Sequence, residues 1–76
     1  MKFYGVFTSN HPLSHYVVPI EARDKGTAGR FMSEWFNSWS TVYSEETYNH
    51  IKQSAQEAGS WNFVELPLQK VPSFYG

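Results

Sequence analysis

The chain has no cysteine, so it has neither a disulfide staple nor a thiolate metal site. Aspartate is almost missing as well: Asp24 is the only one, and its position suits a helix cap better than a catalytic triad. No apolar run approaches the roughly 20 residues that a membrane span requires. The opening stretch MKFYGVFTSNHPLSHY has one Lys but neither a sustained apolar segment nor a small-residue cleavage site, so it does not read as a signal peptide. The expected compartment is therefore the cytoplasm, with no membrane partner. An excess of one charge is also lacking, since the net charge is −1 and the pI is near 6.2. Non-specific nucleic-acid binders are usually basic, and a mimic of DNA needs a strong negative field; neither describes this chain as a whole.

Aromatic residues are abundant: fourteen of the 76 are Phe, Tyr or Trp. A chain this short reads as one domain, residues 1–76, and buries only about 60% of the surface that its unfolded form exposes. With no disulfide or metal to add stability, a dense aromatic core or self-association must supply it. Fourteen rings exceed what so small a core can cover, so an exposed aromatic patch is expected.

Along the chain, Lys2 to Thr8 reads as a strand with Phe3 and Phe7 on one face and Tyr4, Val6 and Thr8 on the other. Gly5 within it marks a bulge or a close backbone approach. Turn residues from Ser9 to Pro12 lead to a second strand, His15 to Glu21, as the hairpin partner. Tyr16, Val18, Ile20 and Ala22 share one of its faces, and Pro19 places it at a sheet edge at least locally. Asp24 then caps a helix with apolar positions Ala28, Phe31, Met32, Trp35, Phe36 and Trp39, closed by Asn37-Ser38. Gly26 and Gly29 weaken its first turns by about 1 kcal/mol each relative to Ala. Trp39 to Tyr43 is a short β-prone run. Ser44 caps a second helix with Glu45 and Glu46 in its first turn, and its apolar stripe is Tyr48, Ile51, Ala55 and Ala58. Gly59 suits the position just past the helix end. Trp61 to Val71 resumes strand character, interrupted at Pro67. The order is β-β-α-β-α-β. The predicted class is α+β: an antiparallel sheet with both helices packed on one face.

The helix–strand–helix block, residues 20–46 or about a third of the chain, resembles small accessory proteins of tailed bacteriophages. The matching residues are Glu21-Ala22, then Ala28 and Met32, then Trp39-Ser40-Thr41-Val42-Tyr43-Ser44-Glu45-Glu46. Where such sequences often place Arg directly after the helix Ala, here Gly29 intervenes and Arg30 follows. The resemblance implies a protein that binds a host protein, including components of bacterial defence, and modulates or inhibits it.

Candidate chemistry is sparse. His11 and His15 are four residues apart, a zinc spacing on a helix, but Pro12 and the turn setting read them as turn histidines. His50 is the third and last imidazole. Glu34, Glu45, Glu46 and Glu57 read as solvated helix faces. Gly26-Thr-Ala-Gly29 lacks the pattern of a phosphate loop. No cofactor or metal is expected, and the chain is not expected to be an enzyme.

Three of the six basic residues, Arg23, Lys25 and Arg30, gather at the start of the first helix, where the dipole disfavours cations. Phe31, Trp35 and Trp39 are expected in the core. Phe74 and Tyr75 read either as a strap over the sheet edge or as an interface anchor. The candidate protein-binding set is therefore Arg23, Lys25, Arg30, Phe74 and Tyr75, facing a host protein. The alternatives are a single-stranded nucleic-acid binding module, using Arg beside stacking rings, and a virion or assembly part acting as a homo-oligomer, with a closed homodimer the favoured form.

Overall fold

Strands β1 (Lys2–Asn10) and β2 (Leu13–Glu21) form an antiparallel hairpin, with Lys2 opposite Glu21 and Asn10 opposite Leu13. The computed structural model describes residues 1–10, 13–72 and 74–75, with Asn10, Leu13 and Ser14 described by backbone alone. The chain continues through α1 (Lys25–Trp35), β3 (Thr41–Ser44), α2 (Glu45–Glu57), β4 (Phe63–Glu65) and β5 (Gln69–Lys70). The strands form one sheet in the order β3-β1-β2-β4, and β5 also pairs with β2. The α+β class predicted above is the class observed.

The architecture departs from the expected one in two respects. The final strand region is two short strands separated around Pro67, and both run parallel to β2, so the sheet is mostly rather than wholly antiparallel. The helices also lie on opposite faces of the sheet, not on one. Period-two alternation sends Phe3, Val18, Ile20 and Val42 to one face, where Ala28 and Met32 of α1 cover them. Tyr4 and Val17 point to the other face and pack with Tyr48 of α2. Both faces of the central hairpin are apolar, and α1 already occupies one, so burying the other requires α2. Ser44 is both the last residue of β3 and the N-cap of α2, so no loop carries that helix back to the first side.

Local sequence chemistry accounts for the joints. Asp24 Oδ1 accepts from the Thr27 N–H at 2.8 Å, and Ser44 Oγ accepts from the Thr47 N–H at 3.3 Å, each satisfying an orphan donor of its helix. Gly59, at φ +71, supplies the left-handed residue that ends α2, and the Ser60 N–H reaches back to the Ala55 carbonyl at 2.9 Å. Pro19 lies within β2, which has neighbours on both sides. The carbonyls of Val17 and Glu21 point outward to the amides of Leu66 and Val71. Pro19 shares their parity, so its missing N–H falls in the interval between β4 and β5, where no ladder bond is lost. The local-edge expectation holds at that position.

The first core is built around the close approach expected at Gly5. A Cβ there would lie 2.5 Å from Met32 Sδ and 2.6 Å from both Met32 Cγ and Cε, so the fully buried thioether lies directly on the glycine backbone. Val17, Val18, Ile20 and Met32 are the largest fully buried side chains, each contributing about 1.5–3 kcal/mol by leaving water. The second core is thinner. Of the predicted α2 stripe only Tyr48 is buried, while Ile51 and Ala58 stay exposed. The Tyr48 ring stacks on Tyr4 with centroids 3.8 Å apart and planes 9° apart, and meets Trp61 edge-on at 5.9 Å.

Candidate functional site

The predicted binding residues lie along α1 and on the carboxyl-terminal turn. At the start of the helix, Arg23 Nε bonds Asp24 Oδ2 at 3.1 Å and its Nη2 donates to Thr27 Oγ1 at 3.3 Å. The N-cap carboxyl is held below its ordinary range, first by the Thr27 amide and hydroxyl and then by Arg23. Lys25 is exposed on the first turn. Two turns on, Arg30 pairs with Glu34 at 3.5 Å, the i,i+4 spacing at which helix side chains meet. Of the three cations, Arg23 and Arg30 are therefore each matched by a carboxylate, and the basic patch read from the sequence is close to neutral. Glu34, expected only as a solvated side chain, is the acceptor around which this part of the surface is arranged.

Tyr75 docks here. Its hydroxyl donates to Glu34 Oε2, its ring meets Phe31 edge-on at 6.0 Å, and the Arg30 guanidinium lies 5.9 Å from its centroid. The Glu34 carboxylate raises the phenol's pKa above its ordinary value, burial adds to this, and Trp35 and Arg30 oppose it. A turn closed by the Tyr75 N–H on the Pro72 carbonyl, at 3.0 Å, holds the segment. Tyr75 is thus a strap, fixed to α1 rather than to the sheet edge. Its neighbour Phe74 has no such seat and is 88% exposed.

The tryptophans expected in the core are outside it. Trp35 stacks on Phe31 at 6.3 Å yet is 68% exposed, and Trp39 is 91% exposed. Trp35 is the last residue of α1 and lies on its exposed side, whereas Trp39 falls past the end of the helix. The helix stops at Trp35, and the Asn37 N–H bonds the Met32 carbonyl at 2.9 Å, turning the chain away before Trp39. The helix-closing Asn37-Ser38 in the sequence is the signal that places Trp39 off the buried face. Asn37 Oδ1 accepts from the Trp39 N–H at 2.7 Å, and the Ser40 N–H reaches the Asn37 carbonyl at 3.1 Å, so this indole stands on a hydrogen-bonded turn. The exposed large rings are Trp35, Trp39 and Phe74, and Phe31, which contacts Trp35, Phe36 and Tyr75, is half-buried.

The histidines are spread apart. His15 Nδ1 lies 3.1 Å from Thr8 Oγ1, with its ring 5.3 Å from Phe63. His50 sits on a shallow groove of α2 with Ile51, Ser54, Ala55 and Ala58. His11 lies outside the described residues. Among the described residues no three His, Asp or Glu side chains are grouped as a metal would need, and no helix is long and apolar enough to cross a membrane. What the site offers is large rings mounted on ordered backbone, the residue type that dominates protein-interface energetics. No protein-family model, no curated protein and no solved structure matches the chain.

Proposed function

We propose that this chain is a non-enzymatic accessory protein of a tailed bacteriophage that binds a host protein and modulates or inhibits it. The contact is made through the carboxyl end of α1 and the tail turn. The observation that carries this reading is the exposure of Trp35 and Phe74 beside the fixed Arg30–Glu34–Tyr75 cluster. Exposed rings on ordered backbone lose little conformational entropy on binding, and aromatic and Arg side chains are the commonest interface anchors. The resemblance over residues 20–46 supports the phage setting. A nucleic-acid partner is disfavoured, because phosphates would have to displace Asp24 and Glu34 from Arg23 and Arg30.

A tagged chain incubated in nuclease-treated bacterial lysate, with captured proteins identified by mass spectrometry, tests the proposal. The expected result is one protein held in stoichiometric amount by the unaltered chain and lost from a Trp35→Ala, Phe74→Ala double variant that retains its fold. Capture that is unchanged in the double variant would remove this surface from consideration. Capture seen only in a parallel lysate without nuclease would favour a nucleic-acid module instead.

A further inference from the structure

The two edges of the sheet are guarded differently. On one side stand β4 and β5, of three and two residues, interrupted at Pro67; short, broken, proline-bearing edges resist further pairing. On the other side β3, Thr41-Val42-Tyr43-Ser44, carries no charge, no proline and no bulge in its register with β1.

The hydrogen-bond parity of the sheet shows what this edge presents. The Val17 carbonyl faces outward to Leu66, so the adjacent Val18 directs its N–H and C=O towards β1, where it meets Gly5. Gly5 is thus turned to β2, and its neighbours Tyr4 and Val6 are turned to β3, where they meet Tyr43 and Thr41. Val42 therefore points its N–H and C=O out of the sheet. Ser40 and Ser44 share that parity, but each is half engaged: the Ser40 N–H is held by Asn37, and the Ser44 carbonyl, at an N-cap, accepts the first bond of α2. The groups left over are the Val42 N–H, the Val42 C=O, the Ser44 N–H and the Ser40 C=O.

This set is complementary to itself. In an antiparallel pair of β3 strands with a two-fold axis at Val42, Val42 exchanges both of its bonds with its symmetry mate. On either side of the axis, Ser44 N–H of one copy meets Ser40 C=O of the other. Each free donor finds a free acceptor, and none is left over. We propose that the chain forms a two-fold dimer by antiparallel pairing of β3 with β3, joining two five-stranded sheets into one. In this register the exposed Trp39, two residues ahead of the strand, falls opposite Glu45 at the start of α2 in the other copy. The guarded β4 and β5 edges stop growth at two, as an isologous contact requires. The interface does not use Trp35 or Phe74, so it stands or falls separately from the host-protein reading.

The test combines sedimentation equilibrium with amide hydrogen exchange on the full chain. The mass should rise from 8.8 kDa towards twice that value as the protein is concentrated. Exchange at the Val42 and Ser44 amides should slow by up to about tenfold between about 10 μM and about 1 mM chain, the square root of the concentration ratio that mass action sets for a dimer. N-methylation of the Val42 amide, introduced by chemical ligation, removes the donor and keeps the side chain; it should return the protein to a monomer. A chain that stays at 8.8 kDa throughout would overturn the proposal, as would a dimer whose Val42 and Ser44 amides exchange as fast as unbonded ones. A dimer that survives N-methylation would do the same. Should the N-methylated chain fail to fold, the exchange measurement decides alone.

Discussion

Tyr48→Phe is expected to make this protein more stable. Tyr48 is 2% exposed, and its hydroxyl is enclosed without a hydrogen-bond partner. The substitution retains the stack on Tyr4 and the edge contact with Trp61, and deletes only the orphan oxygen. A buried hydroxyl without a partner costs about 1–3 kcal/mol, which is the gain expected at neutral pH. A chain of this length has a total stability of only about 4–11 kcal/mol at typical per-residue values, so the gain is readily measured. The same burial, with Glu65 and Tyr4 adding to it, pushes the phenol from 10.0 up to about 12. Between those values the unfolded chain has lost a proton that the folded chain keeps, so stability falls as pH rises. The contribution of the neutral phenol is whole below pH 10.0 and gone above about 12. The separation amounts to about 2–3 kcal/mol at about 1.4 kcal/mol per pH unit. The Phe variant has no such alkaline limb, and its advantage widens across that window. Urea unfolding of both proteins at neutral pH and through the alkaline window measures both effects, with an unchanged m-value confirming that only stability has moved. A Phe variant less stable than the parent at neutral pH would mean that the hydroxyl is bonded. Equal alkaline slopes would mean that Tyr48 ionises as a solvated phenol does.

Gly29→Ala should also stabilise, by about 0.8–1 kcal/mol, because Ala is the better helix former. The nearest atom to a new Cβ there is Val42 Cγ2 at 4.0 Å, so no clash offsets the gain, which thermal melting will read. Gly5→Ala should do the reverse, losing about 1–3 kcal/mol by overpacking, since its Cβ would meet a fully buried Met32; a shortened side chain at residue 32 should recover part of the loss in a double-mutant cycle. Asp24→Ala should lower stability at neutral pH, whereas Asp24→Asn should retain most of the cap. Because the Asp24 carboxyl is held below its ordinary pKa, its ionic contribution is present above the unfolded value and is lost as pH falls through the folded one, so acid titration of the parent and the Ala variant should converge.

The parts of this fold that were legible in the sequence are those dictated within a few residues. The alternation of Phe3 against Tyr4 and of Val17 against Val18 follows from strand geometry. The caps at Asp24 and Ser44 follow from the demand of the first helical amides. The face covered by α2 was not legible: its stripe beyond Tyr48 is too weakly apolar to name a side, and the choice rested on α1 having filled the other. Nor was the direction of β4 and β5, since a short run around Pro67 pairs equally well by composition in either sense. Within the candidate site, the Arg30–Glu34 pair could be read from its spacing. Tyr75 reaching Glu34 joins residues 41 positions apart, and only tertiary packing brings them together.

Val17 and Val18 are consecutive, both are fully buried, and they belong to different cores, one beneath α2 and one beneath α1. The sheet is thus a party wall rather than a floor. A shift of that one peptide moves a side chain in both rooms at once, so a substitution that resizes either room changes what the other will accept. Variation in the two halves of the molecule is then correlated, and mutations that are harmless singly on opposite faces can be intolerable together.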